Sequence, residues 1–183
     1  MADTGFALFD TPLGACGIAW APDGLIGTLL SERDPAATRA RLSRCFEGLA
    51  EAEPTDAVRA AMRDIAAHLG GARVDYVDVT LDFGRVGAWE AAVYRAARAI
   101  PFGETRTYGA LAAVLDEPGA AQAVGQALGR NPWPIIVPCH RIIAADGRTG
   151  GFSAPGGAAT KLRLLEIEGA LAADRLPLFA PRD

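Results

Sequence analysis

The sequence predicts an α/β fold of the α+β kind, in which strands come first along the chain and helices follow. Two apolar runs, residues 15–21 and 25–30, flank a Pro-Asp-Gly turn, which is the pattern of a β-hairpin. Apolar residues recur at helical spacing in later segments, and these segments end at glycine or proline. With 183 residues, of which 50% are hydrophobic and 22% charged, the chain can bury the core of one domain or of two small ones.

Helix signals follow the hairpin. Asp34 and Pro35 form the pattern of an N-cap with proline at the first helical position, which predicts a helix to about residue 49. Thr55 is the predicted cap of a second helix, which a pair of glycines ends. Residues 76–83 then alternate apolar and polar side chains, and this alternation predicts a half-buried strand.

A domain boundary is predicted at residues 84–87, where two glycines interrupt the pattern. The boundary separates an N-terminal α/β supporting domain, residues 1–84, from a second domain, residues 88–172. Residues 173–183 are left as a C-terminal tail. The second domain opens with a helix that carries an apolar stripe on one face.

Two short helices are predicted at residues 107–115 and 120–128, across a tight turn that contains proline and glycine. This is the pattern of a helix-turn-helix, although periodicity alone favours an ordinary αα-corner. The second helix is lined with alanine and glycine, and its outward hydrogen-bonding groups are Gln122 and Gln126. A helix with such small side chains allows its backbone to approach a surface closely, or to pack tightly inside a core.

Bulk charge does not favour nucleic acid, because the formal net charge is −4. The three cysteines cannot all pair internally, and nothing at the N-terminus has the pattern of a signal peptide. No apolar run reaches the roughly 18 residues of a membrane span. We therefore expect a soluble protein of the cytoplasm that makes no membrane contact.

The segment with the clearest chemistry is residues 131–143, which contains Pro138-Cys139-His140-Arg141. A free thiol titrates near ~8.5, and a neighbouring base or positive charge lowers that value, so this pattern predicts an activated cysteine. An inert cysteine in an apolar strand is the alternative, and it is the interpretation for Cys16 and Cys45. The cysteines and the two histidines show no CxxC or HxxxH spacing, so no zinc site is predicted.

The same segment resembles the active-site signature of the O6-alkylguanine-DNA alkyltransferases, also called methylated-DNA–protein-cysteine methyltransferases. The resemblance covers residues 89–169 and rests on five stretches of sequence. These are Asn131-Pro132 with Pro138-Cys139-His140-Arg141, Ile100-Pro101-Phe102-Gly103-Glu104, Thr107-Tyr108, Gly150-Gly151-Phe152-Ser153 and residues 161–169. N-terminal to residue 89 the chain is similar to the family only in general character.

The resemblance implies DNA repair by direct reversal of damage. It implies a small N-terminal sheet with helices, ribonuclease H-like, followed by a winged helix-turn-helix domain that carries the site. The partner would be double-stranded DNA containing O6-alkylguanine, or O4-alkylthymine as a second candidate lesion, bound through the minor groove by a monomer. The damaged nucleotide would be flipped out of the duplex, and its alkyl group would pass irreversibly to a cysteine. An alkyl-cysteine is a thioether, which hydrolysis does not release, so we expect one turnover per molecule with no cofactor and no metal.

By position, the resemblance makes Cys139 the acceptor and His140 the base that takes the thiol proton through a water. Glu168 would orient that histidine, Tyr108 would give a proton to the base, and Asn131 would hold the turn that carries the cysteine. The residues expected to bind DNA are Gln122, Ala123, Gly125, Arg130 and Arg141. The residues expected around the flipped base are Ser153, Phe152, Pro134, Leu128 and Trp133, the last as a pocket wall or a packing anchor.

The chain departs from the family at Gln122, where the family usually places an arginine that fills the space left by the flipped nucleotide. Residues 89–153 hold six arginines against five acidic residues, so weak and salt-sensitive DNA binding is expected. Two alternatives stay open. One is a lesion sensor that binds and flips damaged bases without transfer, and the other is a turnover thiol hydrolase that uses Cys139 and His140.

Overall fold

The N-terminal region of the protein, in a computed structural model that describes residues 3–170, is built on a three-stranded antiparallel sheet. Its strands are β1 (Gly5–Thr11), β2 (Gly14–Ala21) and β3 (Gly24–Leu29), in that order across the sheet. The predicted hairpin is β2 and β3, and the turn between them places Ala21 opposite Gly24. Strand β1 was not predicted.

Two helices pack on this sheet: α1 (Pro35–Cys45) and α2 (Asp56–Leu69). Both begin where the capping residues predict, because Asp34 accepts a hydrogen bond from the Ala37 amide at 2.7 Å and Thr55 accepts one from Val58. Helix α1 ends about one turn before the predicted residue 49, since the backbone leaves helical angles at its C-cap.

Residues 76–83 do not form the predicted strand. Tyr76 has a φ of 58°, and the backbone then turns, with the Val79 amide bonded to the Tyr76 carbonyl. Only Leu81 pairs with the sheet, through an isolated bridge to Leu25. The side chain of Arg98 donates hydrogen bonds to the carbonyls of Tyr76 and Val79. In a sheet, a neighbouring strand would supply donors for such carbonyls. The alternating apolar and polar residues at 76–83 therefore belong to a loop that hydrogen bonds from Arg98 hold in place.

The C-terminal region contains α3 (Ala88–Arg98), α4 (Tyr108–Val114), α5 (Ala121–Gly129) and α6 (Gly157–Ile167). Helices α4 and α5 pack on each other across the predicted turn, and α5 also packs on α3. A parallel pair of two-residue strands, β4 (Arg106–Thr107) and β5 (Ile142–Ile143), joins the start of α4 to the segment after the cysteine. Two short helices across a turn therefore stand where the sequence predicts them.

The two regions share one hydrophobic core, in which residues of the sheet and α2 pack with residues of α3, α4, α5 and α6. Strand β3 also bonds directly to the segment before the cysteine: the Thr28 amide and hydroxyl donate to the carbonyls of Pro132 and Pro134, each at 2.9 Å. The division at residues 84–87 stays a prediction, and the predicted tail, 173–183, lies outside the described residues. No helix among residues 3–170 is long and apolar enough to cross a membrane.

Candidate active site

Cys139 lies at the first position of a one-turn 3-10 helix, Cys139–Arg141, and is 7% exposed. It borders a cavity of about 450 Å³ that opens between α4, α5 and the glycine-rich loop before α6. The cavity is lined by Tyr108, Gly125, Leu128, Gly129, Cys139, Gly150, Gly151, Phe152 and Ser153. The thiol is therefore buried from bulk water but faces a space into which a small group could enter.

A clamp at Asn131 holds the turn that leads to the cysteine. Its Nδ2 donates to the Val137 carbonyl and its Oδ1 accepts from the Trp133 amide, both at 2.9 Å. Inside this clamp Ile135 has a φ of 79°, a conformation that a β-branched residue adopts only under constraint. These two side-chain bonds, with the backbone bond of 2.8 Å from the Val137 amide to the Trp133 carbonyl, hold the strained turn in place.

Glu168 is the centre of a buried polar cluster at the end of α6. Its carboxylate accepts hydrogen bonds from His140 Nε2 at 2.6 Å, from His68 Nε2 at 2.9 Å and from the Gly103 amide at 3.1 Å. Arg141 adds two more, from Nε at 2.9 Å and Nη2 at 3.0 Å. Burial alone would raise the pKa of this carboxyl, but hydrogen bonds from His140, His68 and Arg141 hold it well below its usual range.

The proton positions on His140 follow from that ionised carboxylate. An ionised carboxylate only accepts hydrogen bonds, so Nε2 of His140 carries the hydrogen and Nδ1 is the basic nitrogen of the neutral ring. Burial, followed by the charge of Arg141, lowers the pKa of His140, while Glu168 raises it in part. Among the described residues Nδ1 has no hydrogen-bond partner, so a neutral imidazole presents a free lone pair here.

Opposing effects act on the ionisation of Cys139. Burial raises the pKa of the thiol, while a hydrogen bond from Asn131 and the charge of Lys161 lower it. Lys161 is itself fully buried on α6, donates to the Ile142 carbonyl at 2.5 Å and lies 5.8 Å from the centre of the Tyr108 ring. Burial lowers the pKa of Lys161 to about 8, so the side chain keeps most of its positive charge at pH 7 and loses it as the pH rises through 8.

Tyr108 stands on the cavity wall at the first position of α4, which Thr107 caps. Burial raises the pKa of Tyr108, and the nearby Cys139 raises it further, so the hydroxyl keeps its proton at neutral pH. A methyl group built on Gly150 would lie 2.9 Å from this hydroxyl, and Gly150 has a φ of 68°. Glycine at that position therefore lets the loop close against the tyrosine.

The residues predicted around the base divide into three groups. Leu128, Phe152 and Ser153 line the cavity beside Cys139. Pro134 lines an adjoining cavity of about 330 Å³ that also reaches Cys139 and Ser153. Trp133 as a pocket wall is wrong, because its side chain is fully buried and packs edge-on against Phe83 and Tyr94.

Arg141 as a DNA-binding residue is also wrong for this structure. Its side chain is buried, pairs with Glu168 and donates to the Ile100 carbonyl at 2.6 Å. Removing it from this cluster to reach DNA would leave a buried carboxylate without its counter-charge, which is costly.

The outer face of α5 carries the remaining residues expected to bind DNA. Gln122 and Arg130 are exposed, and Ala123 and Gly125 are half-buried. Nη2 of Arg130 lies 3.6 Å from Oε1 of Glu90, and this carboxylate offsets part of the positive charge of Arg130. Gln122 and Gly125 line an open groove with Gln126 and Ala145, so small and uncharged side chains dominate this face.

His68, His140 and Glu168 also lie close enough to be weighed as a metal site, since their ligand atoms fall within 4.8 Å of one another. The carboxylate, however, is already paired with the Arg141 guanidinium. Both imidazoles direct an N–H at it rather than a lone pair, because it can only accept. The cluster therefore has the chemistry of a hydrogen-bond network, not that of a metal centre.

Two members of the site were not predicted from sequence. His68 comes from α2, 100 residues before its partner Glu168, and no local pattern marks it. Lys161 stands in a segment that resembles the family, but a lysine in an amphipathic helix is ordinarily exposed. A larger cavity of about 640 Å³ lies between α2 and the β2–β3 turn; neither Cys139 nor a histidine lines it.

Comparison with known proteins shows the family of the chain. The family model described as the 6-O-methylguanine DNA methyltransferase, DNA binding domain, matches residues 88–170. A methylated-DNA–protein-cysteine methyltransferase of Mycolicibacterium paratuberculosis is 38% identical over 161 residues, which is 86% of this chain and 95% of that protein. A DNA base-flipping protein of Thermus thermophilus is 38% identical over 152 residues, covering 83% of this chain and 99% of that protein.

The fold has solved relatives. The crystal structure of Mycobacterium tuberculosis OGT in complex with DNA aligns with a TM-score of 0.74 and 34% identity, over 91% of this chain and 93% of that one. The α/β class predicted from the sequence is thereby confirmed. The chain belongs to the methylated-DNA–protein-cysteine methyltransferase family.

Proposed function

We propose that the protein repairs double-stranded DNA by moving the alkyl group of O6-alkylguanine onto Cys139. The observation that carries this proposal is a buried cysteine on the wall of a cavity, followed directly in the chain by a histidine in a defined tautomer. His140 has its Nε2 committed to Glu168, and its Nδ1 has no partner among residues 3–170. A thiol beside a cavity, a free imidazole nitrogen and an orienting carboxylate are the components of an activated cysteine nucleophile.

The steps follow from these groups. Nδ1 of His140 takes the thiol proton, directly or through one water, and the sulfur attacks the alkyl carbon. A carbon–sulfur bond forms as the bond between that carbon and O6 breaks, so guanine leaves. Tyr108, which keeps its proton at neutral pH, supplies a hydrogen to the departing base. The proton that His140 took returns to Tyr108 through solvent, so in the net reaction the thiol hydrogen replaces the alkyl group on the base, and the thioether is permanent.

We assign the contact with O6 to Ser153, and its position on the cavity wall beside Cys139 supports this assignment. The small side chains on the outer face of α5 suit entry of this helix into the minor groove. The damaged nucleotide would rotate out of the duplex into the cavity, and one protein molecule would act on each lesion. Gln122 would then stand beside the gap in the base stack. An uncharged side chain there gives less attraction to bases and phosphates than arginine does, so we expect modest affinity for DNA.

A lesion sensor is the second candidate. Gln122 on the outer face of α5 favours it, as does the Thermus thermophilus relative named as a DNA base-flipping protein. The presence of Cys139 beside the cavity favours transfer instead.

Mass spectrometry separates the two candidates. The protein is incubated with a duplex that contains one O6-methylguanine, digested and analysed. We expect one methyl group on the peptide that holds Cys139, and no methyl in Cys139→Ser, which still binds the duplex. Tight binding by the native protein without any methylated peptide would overturn the proposal in favour of the sensor.

A further inference from the structure

His68 lies in the catalytic cluster although it belongs to the N-terminal region of the chain. It is fully buried on α2, and its Nε2 donates to Oε1 of Glu168 at 2.9 Å. That same oxygen accepts the hydrogen bond from His140 at 2.6 Å. The two imidazoles lie edge to face, with ring centres 6.2 Å apart. His68 and His140 therefore share one acceptor atom, and a shift of either ring changes the bond to the other.

Tyr76 fixes the state of His68. Its hydroxyl lies 2.9 Å from Nδ1 of His68 and the two rings stack, with centres 5.6 Å apart. Burial raises the pKa of Tyr76, so its hydroxyl keeps its proton and donates to Nδ1 of His68, while Nε2 of the same ring donates to the carboxylate. A chain of donors thus runs from Tyr76 through His68 to Glu168, and it ends at the carboxylate that orients His140.

The backbone of Tyr76 shows that the fold maintains this contact at a cost. A bulky residue at a φ of 58° is strained and persists in that conformation only when its surroundings impose it. The Arg98 side chain holds the Tyr76 carbonyl at 2.7 Å, and the Tyr76 side chain is buried. Strain of this kind is typical of functional sites.

We propose that His68, held by Tyr76, is a positioning residue for alkyl transfer, through which the N-terminal region of the protein orients Glu168 and thereby His140. The inference rests on the proposed transfer to Cys139. His68 does not reach the reacting atoms; it donates to Oε1 and so fixes the direction in which the carboxylate presents that oxygen to His140 Nε2. Losing one donor from a buried network lets the remaining groups reorient, and partners of this kind typically cost about tenfold or more in activity when removed.

The competing explanation is that His68 is a buried, hydrogen-bonded core residue and nothing more. Both explanations predict a loss of stability on substitution, so stability cannot distinguish them. They differ in whether the chemical step changes at constant DNA affinity, and in whether a second donor of similar reach restores it. Glutamine supplies such a donor, because its amide nitrogen stands about as far from the backbone as Nε2 of histidine.

The experiment compares His68→Leu, His68→Gln and Tyr76→Phe with Ile65→Val as a matched control. Ile65 is equally buried on the same helix, and no hydrogen bond joins it to the cluster. The rate constant of methyl transfer is measured in a single turnover at saturating duplex, and affinity is measured for each variant combined with Cys139→Ser. We expect His68→Leu to slow transfer about tenfold at unchanged affinity, and His68→Gln to recover most of the rate. Ile65→Val should lose stability without losing rate.

A wild-type rate in His68→Leu, or an equal loss in Ile65→Val at equal destabilisation, would overturn the proposal. If His68→Leu does not fold, Tyr76→Phe decides, since it removes one hydroxyl and keeps the ring; we expect a severalfold slower transfer, and an unchanged rate refutes the inference. If the native protein transfers no methyl group, the proposed function fails separately. The inference is then read from iodoacetamide alkylation of Cys139, which needs no DNA: slower alkylation in His68→Leu supports it, and an unchanged rate overturns it.

Discussion

The indole nitrogen of Trp133 donates a hydrogen bond of 2.8 Å to the carbonyl of Leu25, and this bond joins the turn before the cysteine to strand β3. Thr28 of the same strand bonds to the carbonyls on either side of Trp133. Together with the contact between His68 and Glu168, these bonds link the N-terminal region to the site by separate routes. That region supports the turn that carries Cys139 on one side and the carboxylate that orients His140 on the other.

Gln122→Arg should raise the rate of transfer on duplex DNA severalfold. Arginine is longer, carries a charge and can fill the gap left by a flipped nucleotide, whereas glutamine has no charge to attract the phosphates. The measurement is the single-turnover rate at subsaturating duplex. Gln126→Arg is the matched control, since it adds the same charge one turn along the same exposed face. An equal gain in both variants would show that charge alone matters, and no gain in Gln122→Arg would contradict the account.

Lys161→Met should slow the alkylation of Cys139 by iodoacetamide at pH 7. The positive charge of Lys161 lowers the pKa of the thiol, so its removal reduces the thiolate fraction. The ratio of the two rates should shrink above pH 8, because burial sets the pKa of Lys161 near 8 and the native side chain loses its own charge there. Peptide mapping is needed to separate Cys139 from the exposed Cys45. Equal rates at pH 7 would rule out this role for the lysine.

Asn131→Ala should both destabilise the protein and slow transfer. The substitution leaves the Trp133 amide without its partner and the Val137 carbonyl with the Cys139 amide alone, at about 1–3 kcal/mol in the free energy of unfolding. It also removes a hydrogen bond that lowers the pKa of Cys139. Urea unfolding and single-turnover kinetics measure the two effects. A variant that is destabilised but transfers at the native rate would show that the clamp serves the fold alone.

Gly150→Ala should impair transfer more than Gly147→Ala does. Both glycines have a positive φ, of 68° and 80°, so alanine strains the backbone at either position. A methyl group at Gly150 would press on the Tyr108 hydroxyl, whereas the space around Gly147 is open within 4 Å. The difference between the two rates isolates the displacement of Tyr108. Equal rates would mean that the position of Tyr108 does not limit the reaction.

Many secondary-structure elements were predicted correctly because the signals that define them lie within a few residues of each other along the chain. The caps Asp34 and Thr55, the Pro-Asp-Gly turn and the helical pair α4–α5 all depend on residues a few positions apart. The predicted family is confirmed, and with it the activity class and a DNA partner.

The errors have a common physical origin. Alternation at residues 76–83 predicted a strand, but Arg98 supplied the hydrogen bonds that a neighbouring strand would have supplied. Arg141 was expected to bind DNA because it is a basic residue next to the cysteine. Nothing in the surrounding sequence indicates that its side chain is buried in an ion pair with Glu168, which follows α6. His68 was missed for the same reason, since its partner lies 100 residues away. Tertiary contacts decide such positions, and no local pattern encodes them.

Permanent transfer to Cys139 is tested most directly by the stoichiometry of repair with an excess of duplex that contains O6-methylguanine. Repaired guanine should reach a plateau at one per protein molecule, with the methyl group on the peptide that holds Cys139. Continued release of product beyond that plateau would contradict a permanent thioether and indicate a turnover enzyme. No repair at all, despite binding of the duplex, would contradict activation of Cys139 and leave a protein that only recognises the lesion.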